Sequence, residues 1–298
     1  MQKDKIYLSY LHLHVIVFIW GFTAILGALI TLQALPLVWY RMLFATLFIL
    51  LFIVFKGYSL KVNKKLLVGF LFAGLIIALH WLTFFKAIKE SNISVTLACL
   101  ATGAFFTSIL EPIFYNRKVI WYEVGFGLIV ILGLYIIFKV EGNYYYGIIL
   151  ALTSAFLSAL FSVINGKFAK LYNPTIISFY EILGGVLFLS IYLLFTQSFT
   201  PAFFQLSFND FKWLLILSSI CTAYAFIASV GIMKFLSPYT VMLTINLEPV
   251  YGIILALFLF NDKEKMSFEF YIGALIILTT VILNGILKNR KSSNIKSK

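Results

Sequence analysis

Ten apolar stretches, each about twenty residues long, fill the chain almost end to end, with short polar or charged interruptions between them. They fall at residues 10–30, 36–55, 66–86, 92–115, 119–138, 144–166, 174–195, 211–233, 238–260 and 268–288. At ~1.5 Å per residue each is long enough to cross a ~30 Å hydrocarbon core as a helix. The connections are short, so sequential helices are predicted to be antiparallel neighbours. The longest, at 196–210, has room for one interfacial turn of helix. The first stretch follows Lys3 and Lys5, yet it is long for a cleaved leader and a second span follows at once, so it reads as a retained helix.

Composition turns this pattern into a class. With 62% hydrophobic and only 11% charged residues, and a mean hydropathy of +1.02, the chain is predicted to be an all-α integral membrane protein. The net charge of +12 does not indicate nucleic acid, because of where the charges sit. With the N-terminus in the cytoplasm, sixteen Lys and Arg fall inside; six fall outside (Lys86, Lys89, Lys139, Lys212, Lys263 and Lys265) and Arg41 alone lies within a span. The positive-inside rule then places both termini in the cytoplasm and the protein in the cell (inner) membrane. The basic tail after Ile286 either touches anionic lipid or is solvated. Cys99 and Cys221 fall mid-span and read as packing residues, with neither disulfide nor metal-ligand spacing.

The second five spans repeat the first five. Trp39-Tyr40-Arg41-Met42-Leu43 aligns with Phe179-Tyr180-Glu181-Ile182-Leu183 at an offset of 140. Further on the offset is 145: Ile88-Lys89 matches Met233-Lys234, and Asn116-Arg117-Lys118 matches Asn261-Asp262-Lys263. Shared offset and span order carry this alignment, since single matches mean little in a Leu/Ile-rich chain. The predicted units are 1–140 and 141–298, the latter with a short basic cytoplasmic tail. An odd number of spans per unit makes the second copy enter the membrane from the opposite side, so the expected architecture is ten transmembrane helices as two inverted five-helix repeats.

At Trp20-Gly21, at Pro36 and Arg41, and at 236–250 (LSPYTVMLTINLEPV), the chain resembles the EamA-type carriers of the drug/metabolite transporter superfamily. The resemblance extends over nearly the whole chain. It departs where Ala104 stands at the first-half counterpart of Pro249. The resemblance implies a central cavity between the repeats, opened alternately to each side, and export of a small molecule.

Polar groups within the spans are the candidate site residues, because a charge near the bilayer centre costs ~2.5–3.5 kcal/mol on insertion scales. Glu248 sits near the midplane of the ninth span, with Asn246 two residues before it and Pro249 after it. The proline removes a helical hydrogen bond and frees a carbonyl one turn back. Broken helix, amide and carboxyl together suit a substrate or proton site; the alternative is a hydrogen-bonded structural carboxyl. Arg41 and Glu181 are repeat equivalents, but inversion sets them at different depths, so no direct ion pair is expected. Arg41 either snorkels to headgroups or lines an outer vestibule. Glu111 and Pro112, a turn before Arg117 and Lys118, suggest an interfacial ion pair or gate. His80 and Trp81 either face a cavity or pack, and Trp20, Tyr180 and Tyr224 are candidates for an aromatic cavity wall. His12 and His14 point to different faces of an interfacial turn.

The chain has no H-E-x-x-H, G-x-S-x-G or Walker loop, so the usual marks of zinc, serine and ATPase chemistry are missing and no cofactor or metal is expected. The expected function is a secondary carrier of a small metabolite or amphipathic compound such as an amino acid. It would exploit a coupling proton or an exchanged solute, with the lipid bilayer as its other partner. The rival is a membrane-embedded enzyme with Glu248 and Glu181 as an acid/base pair on a lipid-linked substrate. That requires two carboxylates converging at one depth, which the topology separates.

The topology is checked by reporter fusions after each span. Fusions in the Lys61–Lys65 loop and in the C-terminal tail should report a cytoplasmic location. A periplasmic signal from either would overturn the orientation and the inverted repeat together.

Overall fold

The computed structural model describes residues 2–116, 118, 121–140 and 142–296. Among these the chain is helical, with no strand. In order, the helices are α1 (Gln2–Leu29), α2 (Ala34–Lys56), α3 (Lys64–Glu90), α4 (Ile93–Leu100), α5 (Gly103–Tyr115), α6 (Trp121–Val140), α7 (Tyr145–Phe168), α8 (Pro174–Phe195), α9 (Phe208–Ser218), α10 (Ala225–Ile232), α11 (Pro238–Ile245), α12 (Glu248–Phe260) and α13 (Phe268–Lys296). A π-helical turn, Ser219–Tyr224, joins α9 to α10.

Eight of the resulting rods are long and apolar enough to cross a bilayer: Ile6–Leu29, Ala34–Lys56, Lys64–Glu90, Ile93–Tyr115, Tyr145–Phe168, Pro174–Phe195, Phe208–Ile232 and Pro238–Phe260. The fifth and tenth predicted spans are α6 and α13, whose apolar stretches are shorter, Gly125–Ile137 and Phe268–Thr280. Glu123 and Lys139 bound the apolar run of α6, and α13 runs on into the basic tail. The long connection after α8 holds the expected interfacial turn, a 3₁₀ turn at Pro201–Phe204. Large apolar side chains such as Phe55, Phe195, Phe208 and Phe258 lie on the outside of the bundle. In water that surface would be costly, and against lipid tails it is not.

The starts of the helices explain themselves locally. Asn63, Asn92, Asn173, Ser207 and Ser237 each accept a hydrogen bond from a first-turn amide of the helix that follows. Pro174 and Pro238 stand at the first helical position, where the missing N–H costs nothing. At the end of α2, Gly57 takes φ +64° and returns its amide to the last-turn carbonyls of Ile53 and Val54.

The two halves are built on one plan. α4 and α5 occupy residues 93–100 and 103–115; α11 and α12 occupy the same stretches shifted by 145. Both fourth-in-repeat rods therefore break at equivalent positions, Ala101-Thr102 and Asn246-Leu247. Contacts are reciprocal as well. α3 packs on α7 and α8, while its counterpart α9–α10 packs on α1 and α2. α2 meets its own counterpart α8, α4–α5 meets α11–α12, and α6 packs chiefly on α13. For orientation, the end of the bundle where α1 finishes is here the upper end and the end where α2 finishes the lower.

Close approach of backbones is what glycine permits at α3 and α8. A Cβ on Gly74 would run into the carbonyl oxygen of Glu181 and come to 2.9 Å from the backbone nitrogen of Gly185. Backbone cannot swing aside as a side chain can. Gly74→Ala should therefore force α3 from α8, at about 1–3 kcal/mol for overpacking, and lower the thermal midpoint of the purified protein. Gly125→Ala, where an added Cβ meets open space, should leave it unchanged. Equal melting of the two variants would contradict this account of the interface.

Candidate functional site

A cavity of about 70 Å³ lies where the two halves meet, lined from α1, α2, α3, α4, α7, α10, α11 and α12. A water needs roughly 10–15 Å³ of such space, so in this conformation the cavity holds a few waters and no large solute. Its walls are aromatic (Trp20, Trp81, Phe84, Phe161 and Phe226), and its polar groups are Thr23, Arg41, His80, Ser158, Ser162, Ser229 and Glu248.

The helix breaks bring backbone to this cavity. Beyond α11, the Leu247 amide falls back on the Thr244 carbonyl at 3.0 Å, a tighter turn than the α-helix. Pro249 has no N–H to offer the Ile245 carbonyl, and Ile245 lines the cavity. The equivalent residue of the first half, Leu100, lines it too. There the break needs no proline: Thr102 turns its amide and its hydroxyl onto the Cys99 carbonyl, at 3.1 and 2.7 Å.

Arg41 is 1% exposed, deep in the bundle. Its Nε donates to Thr222 Oγ1 at 2.7 Å, and its guanidinium lies 3.8 Å from the centre of the Trp81 ring. Thr222 belongs to the π-helical turn and in turn donates to the Leu217 carbonyl five residues back, at 2.7 Å. The same turn leaves the Cys221 carbonyl to accept from Trp20 Nε1 at 3.1 Å. Burying an unpaired cation costs several kcal/mol. One charge-assisted hydrogen bond at ~1.5–3 kcal/mol and one stacked ring at ~2 kcal/mol roughly match that, but Arg41 Nη1 is still without a partner. Glu248, on the same cavity, is the acidic group that interacts electrostatically with Arg41. Among the described residues no hydrogen bond reaches the Glu248 carboxyl.

The other candidates are dispersed. His80 lines the cavity with its Nδ1 held by Ser154 Oγ at 2.8 Å, and Trp20 and Trp81 form its wall. Asn246 is buried at the helix break, its Nδ2 unpartnered, but does not line the cavity. Glu181 is fully buried elsewhere and accepts from Asn165 Nδ2 at 3.1 Å. Arg41 and Glu181 thus have separate partners. Tyr180 donates to the Leu60 carbonyl at 2.7 Å in the lower loop, and Tyr224 is exposed and meets His12 at 2.9 Å. Both stand apart from the cavity wall, because their helices turn those faces outward. Arg41 neither snorkels nor opens to a vestibule, since its hydrogen bond points inward. Glu111 and Pro112 are buried within α5; of the two cations expected near Glu111, Arg117 lies outside the described residues and Lys118 is exposed.

Two acidic residues outside the candidate set stand at the upper end, Asp210 in the first turn of α9 and Glu264 in the turn before α13. Asp210 accepts from the amide and hydroxyl of Thr31, both at 2.7 Å, and Lys89 donates to the neighbouring Ile30 carbonyl at 3.1 Å. Glu264 accepts from the amides of Ile93 and Ser94 at 3.0 and 2.8 Å, a carboxylate on the N-terminus of α4. These contacts join the two halves at the upper end of the bundle. Nothing in the local sequence of Asp210 or Glu264 announces their partners, which lie 179 and 171 residues away.

Comparison with known proteins agrees with this plan. The model of the EamA-like transporter family matches twice, at residues 8–139 and 145–286. Among solved structures 25 chains match. One, a crystal structure described only as that of a protein, superposes with a TM-score of 0.69 at 14% identity over 94% of this chain and 98% of its own, a likeness of fold. No curated protein matches.

Proposed function

We propose that this chain, which belongs to the EamA-like transporter family, is a secondary carrier that exports a small zwitterionic or amphipathic solute across the cell membrane by alternating access. One observation carries the reading: both repeats contribute to a single aromatic-walled cavity holding Arg41 and Glu248. A carboxylate in the cargo would meet the unpartnered nitrogen of Arg41, an ammonium would meet Glu248, and an apolar body would lie against Trp20, Trp81 and Phe161. Amino acids with large side chains have that chemistry.

Ten spans with cytoplasmic termini complete the reading, α6 and α13 being the fifth and tenth. The upper end is then the outer one, closed by the Asp210–Thr31 and Glu264–Ser94 contacts, and the lower end faces the cytoplasm. The reciprocal packing of α2 on α8 and of α4–α5 on α11–α12 supports an inverted pair of repeats, since it is the pattern a two-fold axis in the membrane plane would produce. Opening would rock one repeat against the other, parting the outer contacts as the cytoplasmic side closes. The enzyme reading is the weaker: Glu248 lies on the cavity and Glu181 is held by Asn165 outside it, so no acid/base pair converges on one bond.

Labelled phenylalanine counterflow in proteoliposomes is the test. Glu248→Gln keeps the shape but removes the charge that an ammonium would meet. Losing one charge-assisted contact of ~1.5–3 kcal/mol should lower counterflow about tenfold to a hundredfold, with an unchanged melting curve. Arg41→Met should do the same for an amino acid but not for its decarboxylated amine. Transport at the parental rate by both variants would remove this pair from the cargo site.

A further inference from the structure

Apart from the cargo cavity, α7 and α8 enclose a second buried polar cluster. Ser158, Ser162 and Asn165 follow one another at helical spacing on one face of α7, and Ser178 and Glu181 do so on α8. Ser158 and Ser162 belong to the cavity wall, so the stripe begins at the cargo and descends toward the lower end. Asn165 and Glu181 are each 0% exposed and are joined by one hydrogen bond, Asn165 Nδ2 to Glu181 Oε2 at 3.1 Å. Four atoms along this track have no partner: Ser162 Oγ, Asn165 Oδ1, Ser178 Oγ and Glu181 Oε1.

Among the described residues no cation compensates the carboxyl. The helices around it are α2, α3, α7 and α10, and their charged and titratable groups are engaged elsewhere. α2 directs Arg41 to Thr222 and Trp81, and α3 directs His80 to Ser154. Lys167 of α7 lies over the Phe114 and Tyr115 rings, and α10 carries no charged residue. Lys56, Lys64 and Lys65 are exposed at the lower ends of α2 and α3, while Lys86, Lys89 and Glu90 sit at the opposite end of α3. A bare carboxylate enclosed in this way is strongly disfavoured, and its neutral form is the one a dry site tolerates. Asn165 Oδ1 and Glu181 Oε1 are both orphaned acceptors. One added proton on Oε1 turns that oxygen into a donor and gives Asn165 Oδ1 a group to accept from.

The geometry points to the Glu181–Asn165 pair as a proton site separate from the cargo cavity, loaded from the cavity by way of Ser162 and emptied through the lower end by way of Ser178. This rests on the carrier reading for its use in transport, though not for its occupancy. When the lower end opens, water reaches the pair, takes the proton from Oε1 and hydrates the carboxylate left behind. When the lower end closes and the cavity opens to the upper side, a proton from that side returns along Ser162. The proton and the cargo then occupy different carboxyls, Glu181 and Glu248, so that neither has to displace the other.

Infrared difference spectra of the full chain in nanodiscs, recorded across a pH titration, read the proton without any cargo. The parent should show a buried carboxylic-acid band that Glu181→Gln abolishes, Glu248→Gln retains and Asn165→Ala shifts. If Glu181→Gln does not fold, the shift with Asn165→Ala decides instead. A band that survives Glu181→Gln, or one that Asn165→Ala leaves in place, overturns the assignment. In proteoliposomes, Glu181→Gln should abolish phenylalanine accumulation driven by an imposed pH gradient while leaving counterflow intact. Parental gradient-driven accumulation in that variant would reduce Glu181 to a packing role. Absence of counterflow in the parent itself would strike at the carrier reading, and the infrared result would still decide the proton site.

Discussion

Within the hydrocarbon of a membrane there is no water to satisfy a polar group, and this constraint organises the whole molecule. Most serines and threonines of the spans meet it in the simplest way, by turning their hydroxyls onto a carbonyl of the preceding turn, as Thr46, Thr107, Thr153 and Thr280 do. What remains is concentrated in a few places where the helix is interrupted or a charge is enclosed. Those places face one another across the junction of the two repeats. A cavity arises there because irregular backbone is tolerated only where protein or trapped water can answer it.

The spans were plain in the sequence because apolar length is a local property that needs no knowledge of partners. So was the repeat, down to the offset of 145 that relates α4 and α5 to α11 and α12. The break near Glu248 was readable from Pro249, whose missing N–H is a local fact. Its twin at Ala101-Thr102 was not, since there a threonine turned onto Cys99 makes the break and nothing in Ala104 signals it. The polar stripe of Ser158, Ser162 and Asn165 is legible in the helical spacing of polar residues along the sixth span.

What could not be read was the direction in which each face points. Arg41 looked like a residue near a membrane surface because depth along a helix was all the sequence offered. Its burial depends on Thr222, which a π-helical turn rotates into place, and on Trp81 from another helix. Tyr180 and Tyr224 failed to join the cavity for the same reason, and Asp210 and Glu264 gained their roles from partners in the other repeat. In each case the deciding contact joins the two halves, where no local pattern can register it.

Those cross-repeat contacts set a schedule for how the protein is made. Arg41 leaves the ribosome 181 residues before Thr222, which at ~5–20 residues per second is on the order of ten seconds or more. For that interval α2 is in the membrane with a cation that has no partner. The glycine face of α6, where a Cβ added to Gly133 would stand only 2.9 Å from the Gly273 carbonyl oxygen, has nothing to meet until α13 follows. The first repeat must wait, its arginine reaching for the headgroups, until the second arrives to draw it inward. Insertion is therefore finished by the last helices rather than span by span, and a chain cut short after the first repeat would expose to the cell's quality control the groups that the complete bundle hides.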